Sequence, residues 1–379
     1  MRRLILIISV QFAEIFVQYI YQEPSWPNFF WNIQGVFTKL AEVKRSQGYL
    51  LGKMEQLGFD LPSELKILTD TVIKSSEIEG ESLNSDQVRS SVAKKLGIET
   101  EIYIPSDRHV DGAVDIILDA INNSEKEITL ERLFSWHHAL FPTGYSGLYK
   151  IDVGQFRSDL NGSMQVVSGR HGKEKVHYEA PPASNLYNEF DKFLDYTNNS
   201  SDDDLIKAAI VHLWFLILHP FDDGNGRIAR ALTEIFLKRS DKSEFRFYSM
   251  TSQLMKCRSQ YYEVLEATQK SSLNITNWII WFLDNLQASI LNSTQLTQNT
   301  EKIAAFWLKN SEISFNDRQR KIILMLHNGF RGNLTSGKWA KICKCSQDTA
   351  SRDINDLIEK DILEKSGQGR STHYLLKGF

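Results

Sequence analysis

The sequence predicts a mainly α-helical protein with one β-hairpin in its middle and a helix-turn-helix module at its C-terminus. Apolar residues recur at helical spacing through most of the 379 residues. Short runs typical of β-strands are confined, before residue 316, to residues 145–182. Beyond residue 316, three helical patterns precede two further β-type runs, an order typical of a winged helix-turn-helix.

Composition places the chain among globular proteins with room for two or three domains. Hydrophobic residues make up 42% and charged residues 24% of the chain. The net charge of −3 gives no overall attraction to nucleic acid or membranes. Cys257, Cys343 and Cys345 form no CxxC pair, which favours reduced thiols in a cytoplasmic protein and argues against a structural zinc site.

The N-terminus begins with a short apolar run. Two arginines precede residues 4–10, as in a signal peptide, but Gln11 and Glu14 interrupt the pattern and no small-residue cleavage site follows. The run is too short to span a membrane. We expect residues 1–17 to be an apolar extension that packs on the body or frays, and the sequence leaves open whether they belong to the natural protein.

Two helices are predicted to follow an aromatic segment. Residues 19–32 are rich in aromatic rings and contain two prolines, which predicts extended chain packed through its rings. Helical periodicity then covers residues 34–57 and stops at Gly58. A second helix covers residues 63–78 and ends at Gly80.

The middle of the chain predicts further helices around a hairpin. His137 and His138 are adjacent on a helix and point in different directions, so we expect one core and one surface residue, not metal ligands. Two β-type runs flank a Gly-Arg-His-Gly-Lys turn at residues 169–173, which predicts a hairpin. The helices are predicted for residues 107–122, 129–141, 186–196, 205–218, 228–238, 260–268 and 277–291.

The loop between the helices at 205–218 and 228–238 contains the densest group of candidate functional residues. It reads His-Pro-Phe-Asp-Asp-Gly-Asn-Gly-Arg-Ile-Ala-Arg from His219. Gly224 and Gly226 let the backbone approach a ligand closely, because they carry no side chain. The amides and dipole at the start of the second helix favour an anion there.

The side chains around this loop suit a polyphosphate. Arg227 and Arg230 lie three apart on one helix face and can bind phosphate oxygens with forked geometry. Asp223 suits Mg2+ held by one carboxylate together with substrate phosphates. His219, with an unperturbed pKa of about 6.5, suits a general base. The stretch therefore predicts chemistry on a nucleotide.

Residues 219–230 resemble the signature of the Fic family, H-x-F-x-(D/E)-G-N-G-R-x-x-R, at every defined position. The resemblance extends over roughly residues 60–290 and implies a Fic-type helical bundle. It implies a protein adenylyltransferase that transfers AMP from ATP to a Ser, Thr or Tyr hydroxyl of a target protein, with His219 as base. It further implies phosphate contacts from residues of the loop and helix, Mg2+ at Asp223, and a nucleotide-pocket residue at Tyr261. The phosphate-binding residues would be Gly224, Asn225, Gly226, Arg227 and Arg230.

A second resemblance concerns the helix at 63–80. A carboxylate at a helix C-terminus opposes the helix dipole, so Glu79 is a locally unfavourable choice that can mark a functional site. Ser75, Glu79 and Gly80 match the inhibitory (S/T)-x-x-x-E-(G/N) motif of the Fic family. The resemblance implies that Glu79 pairs with Arg230 in the place of the γ-phosphate. The alternative is that Gly80 merely ends a helix.

Partners and alternative activities also follow from the resemblance. In Fic enzymes such a hairpin docks the target as an added strand, so we expect a target protein near residues 164–178. Alternatives are removal of AMP with Glu79 aligning water, transfer of another nucleotide, and a nucleotide-sensing DNA-binding regulator. A homodimer is left open, and no membrane partner is expected.

The C-terminal module has its own charge balance. Residues 316–379 carry 12 Lys and Arg against 7 Asp and Glu, a net charge of +5 that leaves −8 for residues 1–315. A basic module is the electrostatic footprint of phosphate binding. Asp348, Asp353 and Asp356 on the predicted recognition helix, residues 347–357, favour protein contacts instead. DNA and protein therefore both stay open as partners.

Three domains are predicted. Residues 1–60 form the N-terminal extension and a small Fic-associated domain, residues 61–295 the Fic domain with its inhibitory helix at 63–80, and residues 316–379 the winged helix-turn-helix. Residues 292–300 are rich in Ser, Thr, Gln and Asn and are either a linker or a polar helix surface.

Overall fold

The computed structural model describes residues 18–57, 61–99, 104–160, 162–169, 173–327, 329–330 and 332–377. The expectations for residues 1–17 and for the turn residues 170–172 fall outside these ranges. The chain divides into two compact units, Met1–Leu291 and Asn292–Phe379. Across the described ranges, no helix combines the length and apolar character needed to cross a bilayer.

The first unit is a helical bundle in which α7 and α8 form the central pair. Every residue of α7 from Leu205 to Leu218 is buried, as expected for a helix that is apolar on nearly all sides. The bundle comprises α1 (Ile33–Leu57), α2 (Leu61–Ile78), α3 (Ser85–Lys95), α4 (Arg108–Asn122), α5 (Leu130–Leu140), α6 (Leu186–Asn199), α7 (Asp204–Leu218), α8 (Asn225–Asp241), α9 (Met250–Lys256), α10 (Arg258–Gln269) and the first part of α11 (Thr276–Lys309).

Helix α8 begins earlier than predicted. Periodicity places its start at residue 228, whereas the structure starts it at Asn225. Gly224, with φ 82°, is its N-cap residue. The first turn of α8 therefore belongs to the polar loop sequence, and its free amides lie beside the candidate functional residues.

The N-terminal aromatic segment packs through its rings, as predicted. Trp26 and Phe29 meet Trp214 of α7 edge-to-face, with ring centroids 5.9 Å and 5.4 Å apart. Tyr19 meets Tyr178 edge-to-face at 5.1 Å. These contacts attach the segment to the central helix and to the hairpin.

Two antiparallel hairpins lie between α5 and α6. The first, β1 (Tyr145–Ser146) and β2 (Tyr149–Lys150), was not predicted. The second, β3 (Gln165–Ser168) and β4 (Lys175–Glu179), confirms the predicted hairpin. Buried Tyr178 donates its hydroxyl to the carbonyl of Ile217 at 2.8 Å, which ties β4 to the end of α7.

The second unit contains the later part of α11, then three helices and an antiparallel hairpin. Its core includes Ile322, Trp339, Ile354 and Leu357. This order of elements is the one predicted for a winged helix-turn-helix, and that assignment stays a prediction. The elements are α12 (Asp317–His327), α13 (Ser336–Cys343), α14 (Gln347–Glu359), β5 (Leu363–Ser366) and β6 (His373–Leu376).

Residues 292–300 are helical and belong to α11, so the polar-helix alternative is correct and the linker is not. The segment contains no Gly or Pro to interrupt a helix. Thr297 and Thr300 donate their hydroxyls to the carbonyls of Ser293 and Leu296 within the helix, at 3.0 Å each.

Candidate active site

The backbone of His219 adopts an uncommon conformation at the end of α7. Its φ of 46° and ψ of 58° are left-handed, which is unusual for a residue with a side chain. Buried Arg157 holds this turn from the side: its Nε donates to the carbonyl of His219 at 2.8 Å, and its backbone N–H donates to that of Pro220 at 2.9 Å. Such conformations persist where the surrounding structure fixes them.

The imidazole of His219 has one nitrogen available as a proton acceptor. Its Nδ1 lies 3.4 Å from the carbonyl oxygen of Leu216. A carbonyl can only accept, so we assign the proton to Nδ1, which leaves the lone pair on Nε2. Burial lowers the pKa of His219 to about 4. The ring is therefore neutral at pH 7 and able to accept a proton.

Asn225 closes the loop that follows His219. Its Nδ2 donates to the carbonyl of Phe221 at 2.7 Å, and its Oδ1 accepts from the N–H of Phe221 at 3.0 Å. The Phe221 ring stacks on His137 at 4.1 Å, and His137 Nε2 donates to the carbonyl of Asp223 at 3.2 Å. Asn225, which the sequence predicts to contact phosphates, thus fixes the loop in this structure.

Of the two adjacent histidines in α5, His137 is buried and His138 is exposed, as predicted.

The two glycines of the loop leave room for specific neighbours. A Cβ on Gly224 would lie 2.9 Å from the ring of Phe141. A Cβ on Gly226 would lie 2.1 Å from Oε1 of Glu79. A carboxylate therefore occupies the space over the first turn of α8, where the sequence predicts an anion.

Asp223 presents a partly exposed carboxylate beside the same helix start. Its Oδ1 accepts from the N–H of Gly224 at 2.5 Å, and its Oδ2 accepts from the hydroxyl of Ser146. Its side chain is 39% exposed. One accessible carboxylate fits Mg2+ that is held together with substrate phosphates. In the described part of the chain, no three His, Cys, Asp or Glu side chains are grouped to hold a metal by themselves.

Arg230 contacts the end of α2 through all three of its guanidinium nitrogens, of which two make hydrogen bonds. Its Nε donates to Oγ of Ser75 at 2.9 Å, and its Nη2 donates to the carbonyl of Ser75 at 2.7 Å. Its Nη1 lies 2.7 Å from Oε1 of Glu79. The arginine is 1% exposed. The structure thus brings together Ser75, Glu79 and Arg230, the three residues that the sequence connects.

Arg227 has a different carboxylate partner. Its Nη1 donates to Oε2 of Glu81 at 2.6 Å, and its guanidinium lies 4.9 Å from the centre of the Phe141 ring. Its Nε and Nη2 are buried without a hydrogen-bond partner among the described residues. Buried guanidinium donors without hydrogen bonds are costly, and the carboxylate of Asp223, with Oδ1 3.8 Å from Nη2, offsets this cost only in part.

Gly80 directs both glutamates toward α8. Its φ of 86° ends α2 in a left-handed turn, in which Gly80 N–H donates to the carbonyl of Glu77 at 3.0 Å and Glu81 N–H to that of Ser76 at 3.0 Å. A residue with a side chain would strain this turn. The carboxylates on either side of Gly80 therefore reach the two arginines of α8.

Two family models match this chain. Residues 127–237 match the Fic/DOC family, and residues 19–98 match a domain of unknown function (DUF4172). The chain contains a Fic domain. The fold agrees, because a Fic family protein from Desulfovibrio desulfuricans G20 superposes with a TM-score of 0.51 at 19% identity, covering 92% of this chain and 98% of that one.

Curated relatives carry the name protein adenylyltransferase Fic. The protein from Drosophila ananassae is 26% identical over 203 residues, which is 52% of this chain and 36% of that protein. The protein from Aedes aegypti is 25% identical over 211 residues, which is 53% of this chain and 37% of that protein. The alignments thus cover little more than a third of these relatives' length.

Tyr261, predicted to bind nucleotide, lies in the core of the first unit. It is 1% exposed, and its hydroxyl lies 2.8 Å from Nε2 of buried His212. The neighbouring Tyr262 faces the site instead: its hydroxyl donates to the carbonyl of Ile78 at 3.2 Å and lies 3.5 Å from Oε2 of Glu79. Tyr261 therefore supports the domain from within, because a buried ring has no surface to offer a ligand.

Sequence reasoning missed Arg157, Glu81, His109 and Ser146. Glu81 had a visible signal, since it is a second acidic residue immediately after the same helix end as Glu79. The other three carry no local signal. Their contacts at the site join residues 31, 62 and 77 positions apart, namely His109 with Leu140, Arg157 with His219 and Ser146 with Asp223.

Proposed function

We propose that the Fic domain transfers AMP from ATP to a Ser, Thr or Tyr hydroxyl of a target protein. The observation that carries this proposal is a neutral His219, with Nε2 free, beside a helix start that already accommodates a carboxylate. His219 Nε2 takes the proton of the target hydroxyl. The hydroxyl oxygen then forms a bond to the α-phosphorus while the bond to the pyrophosphate leaving group breaks.

The other residues of the loop and helix supply positioning and charge. The amides at the start of α8, with Arg227 and Arg230, hold the phosphates. Asp223 would hold Mg2+, which neutralises phosphate charge when it is bound. Arg157 fixes the turn that carries His219. Preorganised groups of this kind account for most of the rate in phosphoryl chemistry.

We further propose that Glu79 inhibits the resting enzyme. Its carboxylate lies over the first turn of α8 and pairs with Arg230 at 2.7 Å. Carboxylate and phosphate bind arginine with the same forked geometry, so Glu79 takes a place that a phosphate needs. AMP transfer would then require this pair to separate.

The target would dock on the hairpin of β3 and β4. Its strand β3 is mostly exposed, with Gln165, Val167 and Ser168 open to solvent. The hydroxyl of Tyr178 in β4 donates to the carbonyl of Ile217. Ile217 lies two residues before His219, so this bond holds β4 close to the base. A strand added to this hairpin would thus lie near the base.

The three free cysteine thiols agree with a cytoplasmic location of the protein.

A second function is proposed for the C-terminal unit, namely binding of duplex DNA. Asp353 is buried and accepts from Arg318 at 2.6 Å and 3.0 Å, and Asp356 accepts from Gln319 at 2.6 Å and Lys360 at 2.7 Å. Two of the three acids that favoured protein contacts are thus neutralised within the unit. The exposed residues of α14 include Gln347, Arg352 and Asn355, types that bind bases and phosphates.

Incubation of the purified chain with labelled ATP and a cell lysate, followed by mass spectrometry, tests the transferase. We expect AMP on Ser, Thr or Tyr of one or a few proteins, and none with His219→Ala. If incubation with the purified chain instead removes AMP from proteins that already carry it, the result would favour AMP removal. If another nucleoside triphosphate is supplied and its nucleotide becomes attached to protein, the result would favour transfer of that nucleotide.

A further inference from the structure

The pairing of Arg227 with Glu81 has no counterpart in the predicted inhibitory motif. Arg227 is 4% exposed, one of its nitrogens is bound to Glu81, and the other two are buried. No nitrogen of Arg227 is therefore open to a phosphate in this arrangement. We propose that Glu81 is a second inhibitory residue, which occupies Arg227 as Glu79 occupies Arg230, and that His109 holds Glu81 in place.

The contacts of His109 support the second half of this inference. Its Nε2 lies 3.4 Å from Oε2 of Glu81, and its Nδ1 lies 3.2 Å from the carbonyl oxygen of Leu140. Both partners only accept, so the ring can donate to both only when each nitrogen carries a proton, and in that form it is cationic. The Glu81 carboxylate then lies between two cations, His109 and Arg227.

Geometry makes the two glutamates a matched pair. They flank Gly80, whose left-handed turn sends one side chain to each arginine of α8. A phosphate and a carboxylate compete for the same guanidinium donors. Loss of Glu79 alone would free Nη1 of Arg230 and leave Arg227 bound to Glu81, so full access for a nucleotide requires Glu81 to leave as well.

The inference rests on the proposed nucleotide site, and binding can be separated from transfer by working in a His219→Ala background. We would titrate Mg2+-ATP by calorimetry into three full-length proteins: Glu79→Gly, Glu79→Gly with Glu81→Gln, and Glu79→Gly with Glu77→Gln. Glu77 is the matched control, because it is a nearby glutamate in the last turn of α2 that pairs with Lys74 at 2.6 Å and not with an arginine of α8. We expect Glu81→Gln to tighten ATP binding roughly tenfold, as loss of a competing charge-assisted bond predicts, and Glu77→Gln to leave it unchanged.

His109→Gln gives an independent second variant. It removes the imidazole that contacts Glu81 and leaves the Glu81–Arg227 and Glu79–Arg230 pairs unsubstituted at both arginines. In the Glu79→Gly background it should tighten binding in the same direction but by less than Glu81→Gln. Equal affinity with and without Glu81 would overturn the inference. Weaker binding on loss of Glu81 would overturn it too, by showing that Glu81 positions Arg227 for the phosphate. Absence of ATP binding in all variants would overturn the nucleotide site itself.

Discussion

His219 combines three properties at the scale of a single residue. Its left-handed backbone turns the chain at the end of α7, Arg157 fixes that turn, and the carbonyl of Leu216 orients the ring. Burial lowers the pKa of His219 to about 4, which keeps the ring neutral across the physiological pH range. A base needs a free lone pair at working pH, and this environment provides it.

Replacement of His219 by Ala should abolish AMP transfer and leave ATP binding largely intact. General base catalysis contributes on the order of a hundredfold to ten-thousandfold in rate, and the ring bonds to the carbonyl of Leu216 and not to the arginines that would hold phosphates. Steady-state AMP incorporation and calorimetric ATP titration measure the two effects. A mutant that labels protein at the wild-type rate would show that another group is the base.

His109 should titrate above the ordinary histidine value, because its hydrogen bond to Glu81 raises its pKa, against burial and the charge of Arg227, which lower it. The ion pair therefore stabilises the fold below about pH 6.5, and that contribution is lost as pH rises through the raised pKa. NMR titration of the imidazole measures it. Glu81→Gln should lower the pKa of His109, whereas Glu77→Gln should not change it. An unchanged titration in Glu81→Gln would remove Glu81 as the partner.

At the scale of elements, the charged residues at the C-terminal end of α2 pair with those at the N-terminal end of α8. The start of α8 favours an anion, and the end of α2 supplies two. The carbonyl of Ile78 is bonded by Arg258 at 2.7 Å and by Tyr262 at 3.2 Å, so α10 holds the end of α2 in this position. Each glutamate that is unfavourable at its own helix end is thus satisfied by a neighbouring helix.

Glu79→Gly should raise auto-modification with AMP sharply, on the order of a hundredfold if the bound ATP is otherwise misplaced by about an ångström. Glu79→Gly combined with Arg230→Ala should lose much of that gain, because Arg230 would then hold no phosphate. Glu77→Gly, in the last turn of α2, is the control for replacing a nearby glutamate by glycine. Equal AMP incorporation by wild type and Glu79→Gly at equal concentration would sink the inhibitory role.

At the scale of the whole molecule, charge is divided along the sequence. Residues 316–379 carry +5 and residues 1–315 carry −8. The second unit also has its own core around Trp339, as a separately folding module requires. Its basic character and the exposed face of α14 distinguish it from the Fic domain.

The full chain should bind duplex DNA weakly and with strong salt dependence through the second unit. Arg352→Ala should weaken binding and reduce the salt slope by roughly one unit if it contacts a phosphate. Lys192→Ala removes the same charge from the first unit and should change nothing. Fluorescence anisotropy over a salt series measures both. No binding at low salt to any duplex would favour a protein partner for this unit.

Local sequence determined most elements and the centre of the site. Helices with strong periodicity begin and end within a few residues of their predicted positions, as α1 and α4 show, because their apolar spacing and end residues are contained in the segment itself. The twelve residues from His219 to Arg230 were recognisable because the base, the carboxylate and the phosphate-binding arginines are contiguous. The motif of Ser75, Glu79 and Gly80 was recognisable for the same reason, because its residues lie close together in sequence.

Only the tertiary structure decided which surfaces these residues meet. Glu81, His109 and Arg157 join the site through contacts between distant segments, and no local pattern encodes such contacts. Tyr261 and Tyr262 are adjacent and equally aromatic, yet helix rotation buries one and exposes the other to Glu79. The sequence likewise shows that residue 353 is an aspartate. That Arg318 neutralises Asp353 depends on how α12 packs against α14. The sequence determines what each group can do chemically, whereas packing determines which partner it has.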